Sequence, residues 1–277
     1  MIERCHTKLE TVEPRIKIAL RQAGVIHQDE TGVSVANTRH WLHVTATARL
    51  THYQVHRSRG HEALEANGIL PGYTGISVHD GFGSYFLYGC QHALCNVHLL
   101  RDLTFLAEEQ RWWWAAKLKA LLLSMKEATE QARTLGKHWL HPLEVVDWET
   151  RFLDLLAEGD AAHPRAQAPP GQRGRVKQHP ARNLLDRLRK HQHAVWAFLE
   201  DLRVDFDNDY VAYCTPSAWL RCLLKLTFIL VVRVFVGWWE QHDPTAISMV
   251  HGNAPSSPPI PDGLWRDSIG LSGLGGG

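Results

Sequence analysis

Apolar positions at helical spacing open the chain. Leu9, Val12, Ile16, Leu20 and Ala23 share one face. Pro14 suits a first turn and Gly24 a C-terminal stop, so the pattern predicts a helix over about 14–23. From Val25 the period changes. Val25-Ile26-His27-Gln28-Asp29 reads as a strand that ends in an acid. Residues 41–48 and 51–57 alternate and are rich in β-branched and aromatic side chains, which predicts a hairpin. A short helix over 60–67 follows. Gly75-Ile76-Ser77-Val78-His79-Asp80 is a second strand ending in an acid, stopped by Gly81, and Ala93-Leu94-Cys95 adds a short third segment of strand.

Beyond Cys95 the helical period takes over. Leu99, Leu100, Leu103 and Leu106 share a face, as do Leu118, Leu122 and Met125, and then Phe152, Leu155 and Leu156. Residues 159–180 hold four Pro and three Gly and read as a loop. Leu184, Leu185, Leu188, Val195, Phe198, Leu199 and Leu202 predict one long amphipathic helix. The fold class that follows is α/β (α+β): a small mixed sheet with acids on its strand ends, then a helical region. The boundaries are an N-terminal helix over 1–24, a sheet-bearing core over 25–110, a helical segment with a basic loop over 111–210, and a tail over 211–277. Only 8 of the 64 residues in 214–277 are charged, and no period of 2 or 3.6 is sustained there, so the tail is expected to be irregular and poorly ordered.

Composition narrows the partners. The chain has 277 residues, with 30 Lys+Arg against 29 Asp+Glu, a formal net charge of +1. A protein that coats DNA through its overall charge is therefore excluded, but a local basic surface is not. Hydrophobic residues at 44% and charged residues at 21% belong to a globular chain. Five Cys make no disulfide framework and read as reduced thiols in a cytoplasmic protein. The first 20 residues lack the apolar core of a signal peptide. The most apolar stretch, 219–239, is interrupted by Arg221, Lys225 and Arg233, and is read as no membrane span.

Three constellations carry chemistry. Asp29 and Asp80 each close an apolar strand. If the strands are neighbours, two hard carboxylates meet at one sheet edge and can hold Mg²⁺, whereas isolated acids there would merely start turns. Cys90-x-His92-x2-Cys95-x2-His98 contains zinc-ligand types, but its spacing is tighter than that of the usual structural site. Cys95 is read as a buried apolar residue, with His98 opening the next helix. Residues 165–193 hold eight Arg and Lys against the single acid Asp186. Arg173, Arg175, Lys177, Arg182 and Arg187 are its candidate phosphate contacts, set against a solvated helix face as the plainer reading.

Several motifs, in order, resemble the transposases of the insertion-sequence-sixty-six family. They are Asp29-Glu30-Thr31-Gly32, Arg39-His40-Trp41-Leu42-His43-Val44, Ser58-Arg59-Gly60, Gly68-Ile69-Leu70-Pro71-Gly72, Val78-His79-Asp80-Gly81 and Cys95-Asn96-x-His98-Leu99-Leu100-Arg101-Asp102-Leu103. The run Gly174-Arg175-x-Lys177-Gln178 with Ala181-Arg182-Asn183-Leu184-Leu185 matches the family's basic loop and helix. The resemblance covers about 1–210. It implies a ribonuclease-H-like core with an Asp-Asp-Glu triad, two Mg²⁺ (or Mn²⁺) ions, and cleavage and transfer of insertion-sequence ends into target DNA. Asp29 and Asp80 would be the first two catalytic acids and metal ligands. DNA is the implied partner, with no membrane, and self-association is left open.

Two departures from the family pattern matter. The region that the family carries upstream of its core is expected to be absent. After Phe206-Asp207-Asn208-Asp209, Val211-Ala212-Tyr213 stands where the family has Ala-Glu-Arg. The third acid is thus unknown, with Asp207, Asp209 and Glu240 as poor substitutes. The expected protein is a copy with an aberrant tail and without activity. The rival readings are a non-catalytic DNA-binding remnant and an unrelated metal-dependent nuclease completed by Glu30 or Glu240.

Overall fold

The structure, a computed structural model, describes residues 11–35, 37–168 and 176–208. Its centre is a five-stranded mixed sheet of β1 (Val25–Val35), β2 (Thr38–Ala46), β3 (Thr51–His56), β4 (Ile76–His79) and β5 (Gln91–Leu94), in the order β3-β2-β1-β4-β5. β1, β2 and β3 pair antiparallel, and β4 and β5 join parallel. The described helices are α1 (Glu13–Gln22), α2 (His61–Asn67), α3 (Asn96–Thr104), α4 (Trp113–Thr134), α5 (Pro142–Ala162), α6 (Pro180–Lys190) and α7 (Gln192–Glu200).

The two faces of the sheet go to different cores. Ile26 joins Leu20, Leu64, Ile69, Leu70 and Tyr85 on the side of α1 and α2. On the opposite side Val78 packs with Leu99, Leu103, Trp114, Leu118, Phe152 and Val195 from the helical region. Trp114 is wholly buried, whereas Trp113 is exposed and carries Lys117 over its ring at 4.3 Å. No helix among the described residues is long and apolar enough to cross a membrane.

Two elements depart from the expected pattern. β1 continues six residues past Asp29, because β2 pairs with it in nine successive positions from His27↔Ala46 to Val35↔Thr38. Backbone amides and carbonyls make that ladder, so the polar and Gly content of Glu30-Thr31-Gly32 does not stop it. The long helix expected over 184–202 is divided at His191, whose φ of −119° leaves the helical region and whose ring stacks on Phe86 at 4.0 Å. The break lets α7 pack against β5.

A tight contact closes the start of the sheet. Tyr73 Oη donates to the carbonyl of Ala23 or Ile76, at 3.0 and 3.2 Å. A Cβ at Gly75 would lie 2.3 Å from that hydroxyl and 2.6 Å from the Gly24 carbonyl oxygen. Backbone cannot retreat as a side-chain tip can. Gly75→Ala is therefore expected to cost about 1–3 kcal/mol in a denaturant melt, and a neutral result would show that the turn relaxes freely.

Candidate functional site

Parallel pairing decides where the two acids go. β1 and β4 are in register at Val25↔Ile76, Ile26↔Ser77 and His27↔Val78. The same offset carried two residues further sets Asp29 beside Asp80, where β4 has just ended. Asp29 is half-buried, and the Asp80 side chain is 22% exposed. Burial holds the Asp29 carboxyl above the usual carboxylate range. The Glu30 amide, donating to its Oδ1 at 2.9 Å, works the other way, and the Asp80 charge raises it again. That coupling is the electrostatic sign of two acids close together.

The Asp80 side is built from a turn and two histidines. Asp80 Oδ1 accepts the Phe82 amide at 2.8 Å, and Gly81 turns the chain at a φ of +89°, a conformation that favours glycine. The Gly81 amide donates to His79 Nδ1 at 3.0 Å. An amide can only donate, so the His79 proton sits on Nε2 and is donated to His92 Nδ1 at 3.1 Å. The His92 proton then sits on Nε2 and goes to the Tyr88 carbonyl at 3.1 Å. Both rings are neutral in this chain of bonds. Burial above all, with His92 and His191 nearby, takes His79 down to about 3.

Glu30 follows Asp29 in sequence but points to the opposite face. Its side chain is 1% exposed. Tyr85 Oη donates to Oε2 at 2.5 Å and Arg59 Nε to Oε1 at 2.8 Å. Burial raises the Glu30 carboxyl, the Tyr85 hydrogen bond opposes this, and Asp80 adds to it. Burial first, and then Glu30, push the Tyr85 phenol far above its ordinary range. Arg59 also reaches Asp80 Oδ2 at 3.4 Å and lies over Phe82 at 4.3 Å and Trp41 at 5.1 Å. Sequence reasoning gave Arg59 no role. Its place in Ser58-Arg59-Gly60 between two acid-bearing strands was the available signal.

The remaining candidates separate. Cys90 joins the core on the α1 side, and Cys95 is 5% exposed at the start of α3, with its thiol raised by burial. His98 exerts a charge effect on Asp29. No group of three or more His, Cys, Asp or Glu among the described residues could hold a metal, so Cys90, His92, Cys95 and His98 do not assemble as one site.

The segment expected to lead to a third acid returns to β1. Asn208 donates from Nδ2 to the Gln28 carbonyl at 2.8 Å, and its Oδ1 lies 3.0 Å from His27 Nδ1. Asp207 pairs with Lys126 at 3.4 Å. Asp209, Glu240 and the tail over 211–277 lie outside the described residues, as do Arg173 and Arg175.

In the basic segment, charge counted along the chain overstates free charge. Arg182 is 5% exposed and pairs with Asp160 at 2.6 Å and Asp186 at 2.7 Å. Arg165 shares Asp186, Arg189 pairs with Asp160, and Arg187 pairs with Asp102. Asp102 and Asp160 come from outside the basic run, which is why the sequence count missed them. Lys177 and Lys190 are exposed and have no ion pair among the described residues.

Two hard carboxylates on adjacent parallel strands suit a divalent cation, and such an ion would relieve the mutual charge that raises Asp29. The described donors stop at two. Comparison with curated proteins and with solved structures returns no match. A family model described as Transposase IS66 family matches residues 1–211 of the 277. That match spans Asp29, Asp80, the arginine between them and the return to β1 at Asn208, and the chain belongs to the IS66 family of transposases.

Proposed function

We propose that this chain carries the ribonuclease-H-like core of a DNA strand-transferring transposase, with Asp29 and Asp80 as its metal ligands. The observation that supports the reading is the parallel register of β1 and β4, whose offset, carried two residues beyond His27↔Val78, brings Asp29 level with Asp80. The strand order β3-β2-β1-β4-β5, antiparallel then parallel, supports it. When bound, Mg²⁺ or Mn²⁺ supplies Lewis acidity to the attacking and leaving oxygens of a phosphoryl transfer. The chain's own residues hold the rest. Asp29 on β1 and Asp80 just past β4 offer oxygens side by side. Arg59 offsets the charge of Asp80 while remaining anchored on Glu30. Glu30 is committed to Tyr85 and Arg59, which argues against its completing a triad. Lys177, with Arg173 and Arg175, is assigned to DNA phosphates, and Arg187 joins them only by leaving Asp102. Arg182 is assigned to the helical core that supports them, because its guanidinium is covered by two aspartates.

The metal assignment has a direct test. Mn²⁺ titration followed by electron paramagnetic resonance is expected to detect binding that both Asp29→Asn and Asp80→Asn remove. Binding that survives either substitution overturns the assignment.

The same reading makes this copy inactive. Where the family has its third acid, this chain has Val211-Ala212-Tyr213, and Pro216 opposes a helix there. A nucleophile displaced by even ~1 Å costs on the order of a hundredfold. Nicking of plasmid DNA with Mg²⁺ or Mn²⁺ is therefore expected to stay at background. Cleavage that disappears in Asp80→Asn would refute this and would show that another acid, such as Asp207 or Asp209, has taken the third position.

Salt dependence tests the basic segment. Duplex binding is expected to weaken with salt at a log–log slope of about −0.9 per neutralised phosphate. Arg173→Ala with Arg175→Ala and Lys177→Ala should flatten that slope. An unchanged slope would make the segment a solvated surface only.

A further inference from the structure

The β1–β2 hairpin outruns the parallel part of the sheet. β4 pairs with β1 only at 25–27, while β1 runs on to Val35, six residues past Asp29. At ~3.4 Å per residue that extension is about 20 Å long. β3 accompanies it as far as Trp41↔His56. The inner half of β2 is buried, whereas Thr38 and Arg39 at its outer end are exposed.

The extension carries a particular charge pattern. No Asp or Glu occurs from Thr31 to His61, while Arg39, Arg49, Arg57 and Arg59 do. Arg39 lies over the Trp41 ring at 4.7 Å, and Arg59 lies over the same ring at 5.1 Å and reaches Asp80 at 3.4 Å. Contacts thus lead without a break from an exposed guanidinium to the second acid. Arg57, also exposed, stands at the same end, just after β3. Neither Arg39 nor Arg57 has an acid partner among the described residues, unlike the arginines of α6.

We propose that this hairpin is a DNA-contacting arm, separate from the basic segment over 165–193. Arg39 and Arg57 hold phosphates of the duplex flanking the bond presented to Asp29 and Asp80, while Arg59 stays on Glu30. Exposed guanidinium groups with no acid partner among the described residues attract a polyanion, and a planar guanidinium matches phosphate oxygens. A β-ribbon is also narrow enough to follow a duplex groove. The proposal rests on the DNA-handling reading above, and its test separates the two.

The experiment is the salt dependence of duplex binding by the full chain. Arg39→Ala with Arg57→Ala is expected to flatten the log–log slope by about 2, close to one per lost phosphate contact. Arg39→Lys with Arg57→Lys should keep most of it. Arg49→Ala removes one such charge at the opposite end of the hairpin and should leave the slope unchanged. If the wild type binds with a steep slope and the Arg39/Arg57 variant matches it, the arm is refuted and the DNA reading stands. Flattening by about 1 with Arg49→Ala, equal per charge removed, refutes the arm as well, since net charge alone would then act. If the wild type shows no salt-dependent binding, both fall. Photo-crosslinking from a benzoylphenylalanine at position 38 reads the contact in an otherwise unaltered chain. A DNA adduct is expected, and its absence from a bound complex refutes the arm.

Discussion

Arg59→Met is expected to destabilise the protein by about 2–3 kcal/mol at pH 7. Glu30 is 1% exposed and has two partners, Tyr85 and Arg59. Removing one partner of a buried ion pair costs roughly 3–5 kcal/mol, because the other charge stays in a poor solvent. The Arg59 side chain is 36% exposed, so water screens part of that loss and the lower figure applies. Met keeps apolar contact with Phe82 and Trp41, which isolates the charge. The pH dependence has a defined sign. Burial already raises the Glu30 carboxyl, and losing Arg59 raises it further. The folded variant then takes up a proton more readily than the unfolded chain, so its deficit against wild type shrinks as pH falls from 7 to 5. Glu30→Gln combined with Arg59→Met should recover most of the stability, since no buried charge is left unpaired. Urea melts of the four proteins at both pH values provide the test. A single-variant loss under about 0.5 kcal/mol would make Arg59 an ordinary surface arginine.

Acidification from pH 7 to 5 is expected to destabilise the wild type by several kcal/mol, before most carboxylates titrate. His27, His43, His52 and His79 are each under 5% exposed, and burial is the first cause lowering each of them. In the unfolded chain they bind protons near their ordinary value of about 6.5. Below that value the unfolded state holds more protons than the folded one, so stability falls with pH by up to about 1.4 kcal/mol per unit for each such group. For His79 the window extends to about 3, because protonating Nδ1 would also break its bond from the Gly81 amide. Asp29 and Glu30 act in the opposite sense. Their raised carboxyls favour the folded state as they protonate, and this softens the fall at the acid end. Denaturant midpoints at pH 7.5, 6.5 and 5.5 measure the effect. A flat profile would mean that these rings accept protons without unfolding.

What local pattern could state, it stated correctly in kind. The helix before β1, the starts of both acid-bearing strands, the hairpin and the succession of apolar helical faces over 99–156 were all readable, because each depends on side chains within a few residues of one another. Asp80 was readable as an acid just past a strand end for the same reason, whereas Asp29, expected at a strand end, lies inside β1. Their placement side by side was not readable. It depends on β1 and β4 pairing parallel with an offset of 51, and residues that far apart share no local period. The six extra residues of β1 come from the ladder offered by β2, since hydrogen bonding across strands overrides weak strand propensity. The division at His191 follows from its stacking on Phe86, about a hundred residues earlier in the chain. Charge shows the same boundary. Residue order alone shows that 165–193 is rich in arginine and that 31–61 has no acid. The fold brings Arg182, Arg187 and Arg189 to Asp160 and Asp102, while Arg39 and Arg57 meet no acid among the described residues. An ion pair forms within about 4 Å in space, and distance along the chain does not set it.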